Sequence, residues 1–379
     1  MAEESKKALV ARLVAIGDPH LRRTDPLGVV GPDGRNTRLK DKLSALKGII
    51  DYSIANNATH IIFLGDIFDS INPPDWLKRL FWETVLPAYK KGIKIRIIIG
   101  NHDRTESDNY NFASDNVILP ENILIIPHES MVENIPLSDR DQPFTIKYIP
   151  YKNKGEIEED LKSPTDATFG HFEIAGAQLA PDNTKIRHGI DAKAVQSRLT
   201  WLGHIHKFQE FRPGFAFIGS TVKCDFGEVN NQKVFGKLDV FSNGQMKLQY
   251  NEIPQRPMYQ YEIHEDDPDN LYISERIPKE LTEEGILIKF IFVGSPQWIK
   301  SINKAKFTKR FKNAVRVVTS DRRLDVDRVD TGLEHSSTKM EDRVHMYVKE
   351  KKKGKEYLTS GLEIVKIAQE LAEESENEA

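Results

Sequence analysis

Cysteine is all but missing from these 379 residues, and Cys224 stands alone. No intrachain disulfide can form, and a reducing compartment is the natural setting. Without a partner thiol, Cys224 reads as a small buried apolar side chain. Long apolar runs are missing too, since none approaches the roughly 18 residues that a membrane span needs. The polar residues 1–7 lead straight into a strand pattern and hold no apolar signal core. A soluble cytoplasmic protein is expected, in a host's cytoplasm if the source is viral. No excess of either charge dominates: 54 Lys and Arg face 57 Asp and Glu, for a net charge of -3. The whole molecule is therefore not a general polyanion binder, and any nucleic-acid surface must be a local patch. Internal repeats and long low-complexity segments are absent as well. What is present is ordinary globular composition, 39% hydrophobic and 29% charged, in a chain long enough for two or three domains.

Four apolar, β-branched stretches stop abruptly at glycine. Residues 9–16 end at Gly17, 60–64 at Gly65, 93–99 at Gly100 and 199–202 at Gly203. Each reads as a buried strand followed by a polar loop. Residues 39–56 carry Leu43, Leu46, Ile49, Ile50 and Ile54 at helical spacing, and 75–91 form a second helix rich in Trp76, Phe81 and Trp82. Alternating β and α favours a layered α/β core. Further strand candidates at 144–149, 215–218, 234–240 and 246–250 extend this to a mixed sheet or a two-sheet sandwich flanked by helices.

Past residues 254–257 the character changes. Strand candidates at 259–264, 286–293 and 314–319, with a helix at 296–311, predict a small α+β domain. Charge dominates 321–355, which reads as a solvated linker or a frayed helix. Ser360 and Glu363 form a capping box that opens a helix with an apolar stripe, running to residue 372. The acidic end, 373–378, reads as disordered. The expected domains are 1–255, 256–330 and 331–379.

Chemistry concentrates where strands end. The clusters are Asp18-Pro19-His20, Gly65-Asp66-Ile67-Phe68-Asp69, Gly100-Asn101-His102-Asp103, Gly170-His171 and Gly203-His204-Ile205-His206. Loops at the carboxyl ends of strands are where open α/β folds keep their sites. Asp18, His20, Asp66, Asn101, His171, His204 and His206 suffice to hold two divalent metals with one shared carboxylate, a device for cleaving phosphate esters. Asp66 is the natural bridge, one oxygen to each ion. The amide of Asn101 suits Mn²⁺ or Mg²⁺ and leaves His102 free for proton chemistry. Asp103 is expected to accept from the His102 imidazole. His204 and His206, alternate residues of an extended segment, face one pocket. The remaining histidines lack such context and read as surface or locally bonded groups.

This ordered set resembles the calcineurin-like metallophosphoesterase superfamily. Within it the chain looks like the SbcD-type nuclease subunits, relatives of the meiotic-recombination-eleven nuclease. The narrower likeness rests on Gly65 to Asp69 running into Pro73-Pro74, on Gly203 to Lys207, and on Gly219-Ser220-Thr221 followed by Asp225 to Glu228. It covers residues 9 to 245. The resemblance implies a four-layer sandwich of two mixed sheets between helices, with a small α+β capping domain and a helical tail. It implies one metal on Asp18, His20, Asp66 and His206, and another on Asp66, Asn101, His171 and His204, typically Mn²⁺. His102 would donate a proton or stabilise the transition state. Some relatives carry histidine at the place of Asp69, which therefore reads as a support behind a ligand.

The implied activity is 3′-to-5′ exonuclease and single-strand endonuclease action on DNA in repair, recombination and replication. Arg22, Arg23, Arg104, Lys207 and Lys223 lie beside the ligand loops and are candidate phosphate contacts. The implied partners are DNA, a second copy of the chain and an SbcC-type coiled-coil ATPase. The helix at 75–91 is a candidate dimer face, with packing on the sheet as the equal alternative; the helix at 360–372 is the candidate ATPase dock. A metallophosphoesterase for small molecules or phosphoproteins is the competing reading, and a non-catalytic metal scaffold is a third.

Overall fold

The computed structural model describes residues 7–104, 120–179, 183–266, 281 and 284–323. The linker, helix and acidic end expected beyond residue 330 lie outside the described residues.

Two six-stranded mixed sheets face each other. The first runs Met246–Glu252, Val234–Phe241, Leu9–Ile16, His60–Phe63, Lys94–Ile98, Ile123–Ile126, and its last four strands are parallel. The second runs Met131–Ile135, Phe144–Ile149, Ala167–His171, Leu199–Gly203, Phe215–Phe217, Gln209–Arg212, with four parallel strands in its centre. Between the sheets lies a core with Leu13, Ile62, Ile98, Phe144, Phe169, Trp201 and Leu238. Strands buried on both faces explain the continuous apolar runs in place of strict alternation.

Helices cover the outer faces. Helix α1, Thr37–Ala55, is opened by the Asn36 side chain accepting from the Arg38 N–H, and buries Leu39, Leu46, Ile49 and Ile50 against the first sheet. Helix α2, Asp75–Lys90, packs Leu77, Phe81 and Val85 into the same layer. Phe81 is fully buried against Phe63 and Phe68, and Trp76 and Trp82 pack on that core. Phe81 is thus not available to a dimer face, because the sheet already takes that side of the helix. Helix α3, Lys154–Leu161, places Ile157 and Leu161 on the outer face of the second sheet. The result is a four-layer α/β/β/α sandwich.

Residues 258–323 carry a third sheet, all parallel, in the order Met258–His264, Leu287–Gly294, Arg316–Arg323. Its core includes Ile263, Ile288, Phe290, Phe292 and Phe311. The single helix expected at 296–311 is two short ones, Pro296–Ser301 and Lys304–Thr308. Ile302 is extended, and Asn303 caps the second helix by accepting from the Lys306 N–H at 2.9 Å. Among the described residues no helix is long and apolar enough to cross a membrane.

Candidate metal centre

Five parallel strands bring the ligand loops to one end of the sandwich. Register aligns Ile16 with Phe63 and Phe63 with Ile97 in the first sheet, and His171 with Gly203 in the second. Asp18, Asp66, Asn101, His171 and His204 each lie at or just beyond these strand ends. The two sheets are joined there by His171 Nδ1, 2.6 Å from the Leu64 carbonyl. Packing is so close that only glycine fits at two points. A Cβ on Gly65, at φ 100°, would lie 2.2 Å from His171 Nδ1, and one on Gly100 would lie 2.1 Å from Asp66 Oδ1. Four of the six described non-glycine residues with positive φ are in this centre: Asp18 (21°), His20 (44°), Asp66 (49°) and His204 (86°). Such backbone costs free energy and persists only where the surroundings enforce it.

The donor atoms fall into two groups that meet at Asp66. In one, His20 Nε2 and His206 Nε2 are 2.8 Å apart, and Asp66 Oδ2 is 3.6 Å from His20 Nε2. In the other, Asn101 Oδ1 lies 2.9 Å from His171 Nε2 and 2.8 Å from His204 Nδ1, with Asp66 Oδ2 at 3.4 Å from His171 Nε2. Asp66 Oδ1 instead accepts from the His102 N–H at 2.9 Å. Asp66 Oδ2 is thus the oxygen that faces both groups, while Oδ1 is engaged by the backbone. Asp18 sits between the groups. Its Oδ2 accepts from the His204 N–H at 2.9 Å, while its buried Oδ1 has no hydrogen-bond partner and faces His171 Nδ1 at 3.7 Å.

This donor set fits divalent cations. Two imidazole nitrogens 2.8 Å apart repel unless a proton or a cation lies between them. Burial pushes His20 down to about 4, whereas His206, despite its burial, is held well above its usual value by Cys224 and Glu228. Burial also opposes a charge on His171, yet Asp66 and Asp18 raise it to about 9. Burial and then His171 push His204 down. In each pair the surroundings favour a charge on one histidine and disfavour it on the other. Asp66 stays well below the carboxylate range, because His171, His20 and the His102 N–H outweigh its burial. Buried and partly buried nitrogen and oxygen donors converging on a few points, one carboxylate oxygen left without a bond, are what a hard or borderline cation completes.

The profile of the calcineurin-like phosphoesterase family matches residues 11–208, more than half of the chain. The chain is a calcineurin-like phosphoesterase. It is similar to "Exonuclease subunit 1" of Enterobacteria phage T4, 26% identical over 52% of this chain and 58% of that protein. It is also similar to "DNA double-strand break repair protein Mre11" of Thermoplasma acidophilum, 26% identical over 56% of this chain and 59% of that one. A third relative is an SbcCD nuclease subunit of Staphylococcus epidermidis, 26% identical over 57% of this chain and 64% of that one. The matches thus span about three-fifths of the length of these curated relatives.

Behind the donors, this phosphoesterase has Asp69 in the supporting place expected of it, and further supports that the sequence did not announce. Asp69 Oδ1 is 3.3 Å from His20 Nδ1, and its other oxygen takes Arg22 Nη1 at 3.2 Å. Partial burial opposes its charge, but His20 and Arg22 hold Asp69 down to about 2. Buried Lys42 donates to the His20 carbonyl at 2.7 Å, and buried Lys233 to the His206 carbonyl at 2.8 Å. Lys233 also pairs with Glu228 at 2.7 Å, and Glu228 Oε1 is 3.6 Å from His206 Nδ1. His204 Nε2 leans on Glu173 at 3.1 Å, and the Tyr151 ring stacks on the His204 ring with centroids 5.9 Å apart. Carboxylates behind metal-binding imidazoles fix their tautomer and direction. Cys224 is not the bland core residue expected: partly buried, its sulfur lies with His206 and Glu228, and all three offer donor atoms within 4.8 Å of one another.

Other expectations meet a different arrangement. Asp103 does not serve the His102 ring. It is fully buried, its oxygens accept from Gly100 N at 3.1 Å and Phe68 N at 3.3 Å, and it locks the turn Asn101–Asp103. Arg22 is not a free phosphate contact, because it pairs with Asp25 at 2.7 Å as well as with Asp69. Lys223 donates its ammonium to the Val229 carbonyl at 2.5 Å. Arg104 donates to the Tyr151 carbonyl at 2.6 Å, and Lys207 to the side chains of Gln178 and Asn183 at 2.8 and 2.6 Å. Arg23 is exposed. His102 is exposed at the rim, its ring edge-on to His20 at 5.0 Å.

Proposed function

We propose that this phosphoesterase is a DNA nuclease subunit, an exonuclease and single-strand endonuclease of double-strand-break repair, with two divalent ions held around Asp66. The observation that carries the reading is Asp66 Oδ2, poised between His20 on one side and His171 on the other, at 3.6 and 3.4 Å. Asp18, His20, Asp66 and His206 would hold one ion; Asp66, Asn101, His171 and His204 would hold the other. Mn²⁺ suits this mixture of carboxylate, amide and imidazole donors. When bound, such a pair polarises a phosphoryl group and makes a nucleophile from water at neutral pH. The residues of the chain supply the rest. Asp66 Oδ1 fixes the His102 backbone, so that the imidazole stands at the open rim beside His20 and can pass a proton to the departing sugar oxygen. The names of the relatives favour DNA over small substrates, and the third sheet at 258–323 is then a cap for the strand. A homodimer bound to a coiled-coil ATPase is the assembly this implies.

The test compares wild type, Asp66→Ala and His102→Ser with Mn²⁺ on plasmid DNA, on a labelled oligonucleotide and on a small chromogenic phosphodiester. The reading expects DNA cleavage by wild type, none by Asp66→Ala, and a fall of about 10²–10⁴-fold for His102→Ser. Turnover of the small diester alone, with DNA intact, would replace the nuclease by a small-substrate phosphodiesterase.

A further inference from the structure

We propose that a second anion site, built by Arg23, Arg35 and Arg79 around Trp76, holds the backbone of the polynucleotide strand beyond the metal centre. A cavity of about 400 Å³ is lined by these four residues with Gly34, Asn36 and Leu80, and no carboxylate is among its lining residues. Among the described residues, the guanidinium groups of Arg23 and Arg35 meet no acid, and Arg79 reaches only an exposed Glu83 at 3.7 Å. Three like charges around one cavity repel, and an anion between them removes that repulsion. Guanidinium matches phosphate with paired N–H donors, which makes an arginine cluster more selective than diffuse positive charge.

Two observations point to a polynucleotide and not to a lone phosphate. Trp76 is partly buried and packed on the hydrophobic core under α2, so its indole is held in place as one wall of the cavity. Aromatic walls among arginines are how single strands are gripped, by stacking a base while the backbone is neutralised. Arg23 also lies three residues beyond His20, a chain distance of about 11 Å at full extension. A strand with one phosphate at the metal centre would thus carry a later phosphate to Arg23. The pairing of neighbouring Arg22 with Asp25 and Asp69 leaves Arg23 as the cation of that loop that faces this cavity. The inference rests on the nuclease reading for its ligand, and its test separates the two.

The test uses the full chain with Mn²⁺, as wild type and as the exposed double variant Arg35→Gln/Arg79→Gln. Binding of a labelled 20-mer single strand is followed by anisotropy from low to moderate salt, and KM and kcat are measured on the same strand and on a small chromogenic diester. The expected result is an affinity about tenfold weaker and a KM about tenfold higher for the 20-mer, with kcat and small-diester turnover within about twofold. The salt slope of binding should fall by about 1.4, two phosphate contacts at about 0.7 each for single strands. An unchanged slope and KM overturns the second site. If wild type turns over only the small diester, the nuclease reading fails, and anisotropy still decides this one: no binding of the 20-mer, or a slope that the double variant shares, refutes it. Inorganic phosphate that competes equally with the strand in both proteins would reduce the cavity to a general anion trap and also count against it.

Discussion

His20 and His206, whose ring nitrogens meet at 2.8 Å, are each held from behind at two points: a buried lysine on the backbone carbonyl and a carboxylate by the far ring nitrogen. His171 and His204, with nitrogens 3.3 Å apart, stand differently. His171 has the Leu64 carbonyl, and His204 has Glu173, whose side chain is 46% exposed against 3% for Glu228. The same ligand type is thus framed by two buried lysines and, at His206, a buried ion pair in one half, and by a solvent-facing acid in the other. Buried pairs are costly to break and exposed ones contribute little. The half with His20 and His206 should hold its shape and its ion more tightly, and the half with His204 should exchange its ion more readily.

The largest test of this contrast is the residue both halves share. Asp66→Ala should lose about 10³-fold or more in phosphoester turnover and reduce metal content in both halves, read by elemental analysis. Loss of one ion only would mean that Asp66 serves a single half. Next comes Lys233→Met, which leaves Glu228 buried without its cation and should cost about 3–5 kcal/mol in denaturant unfolding. A cost under about 1 kcal/mol would show that the frame behind His206 is dispensable. Glu133 is a control away from the centre. It binds Arg96, Lys94, His60 and the Tyr148 hydroxyl, and its carboxyl is held well below the usual range, since these partners outweigh its burial. Its folded value lies below its unfolded one of about 4.3, so its contribution is full above that pH and fades as pH falls below it. Glu133→Gln should therefore cost about 2–3 kcal/mol at neutral pH, converge on wild type in acid, and leave metal affinity unchanged. Smallest is the direct comparison of supports by equilibrium dialysis. Glu228→Gln should weaken ion binding about 10–100-fold, and Glu173→Gln under about threefold. Equal effects would erase the distinction between the halves.

The ligand loops were legible because the physics is local: a β-branched run must be a strand, and glycine directly after it marks a tight approach. The supports were not. Lys42, Lys233 and Glu228 carry no mark of such a role, since nothing in a sequence shows that a lysine will meet a carbonyl or an acid inside a core. Asp103 misled for the opposite reason. It adjoins His102 in sequence, yet the tight turn from Asn101 sends it inward to two backbone N–H groups. Short strands such as Ile123–Ile126, Met131–Ile135 and Gln209–Arg212 went unrecognised, as did α3, because so few residues carry too little of a repeat for periodicity to speak. The break at Ile302 was hidden because an N-capping asparagine inside an apolar pattern can be overruled by packing, and here it was not.

The left-handed backbone at Asp18, His20, Asp66 and His204 carries a lasting consequence. Folding alone, driven by the cores on either side, forces these residues into a shape they would not choose in isolation. A divalent ion bound as proposed would find its cage already assembled, so loading should be quick, while any loosening of the distant sheets would be felt first as a leak of metal.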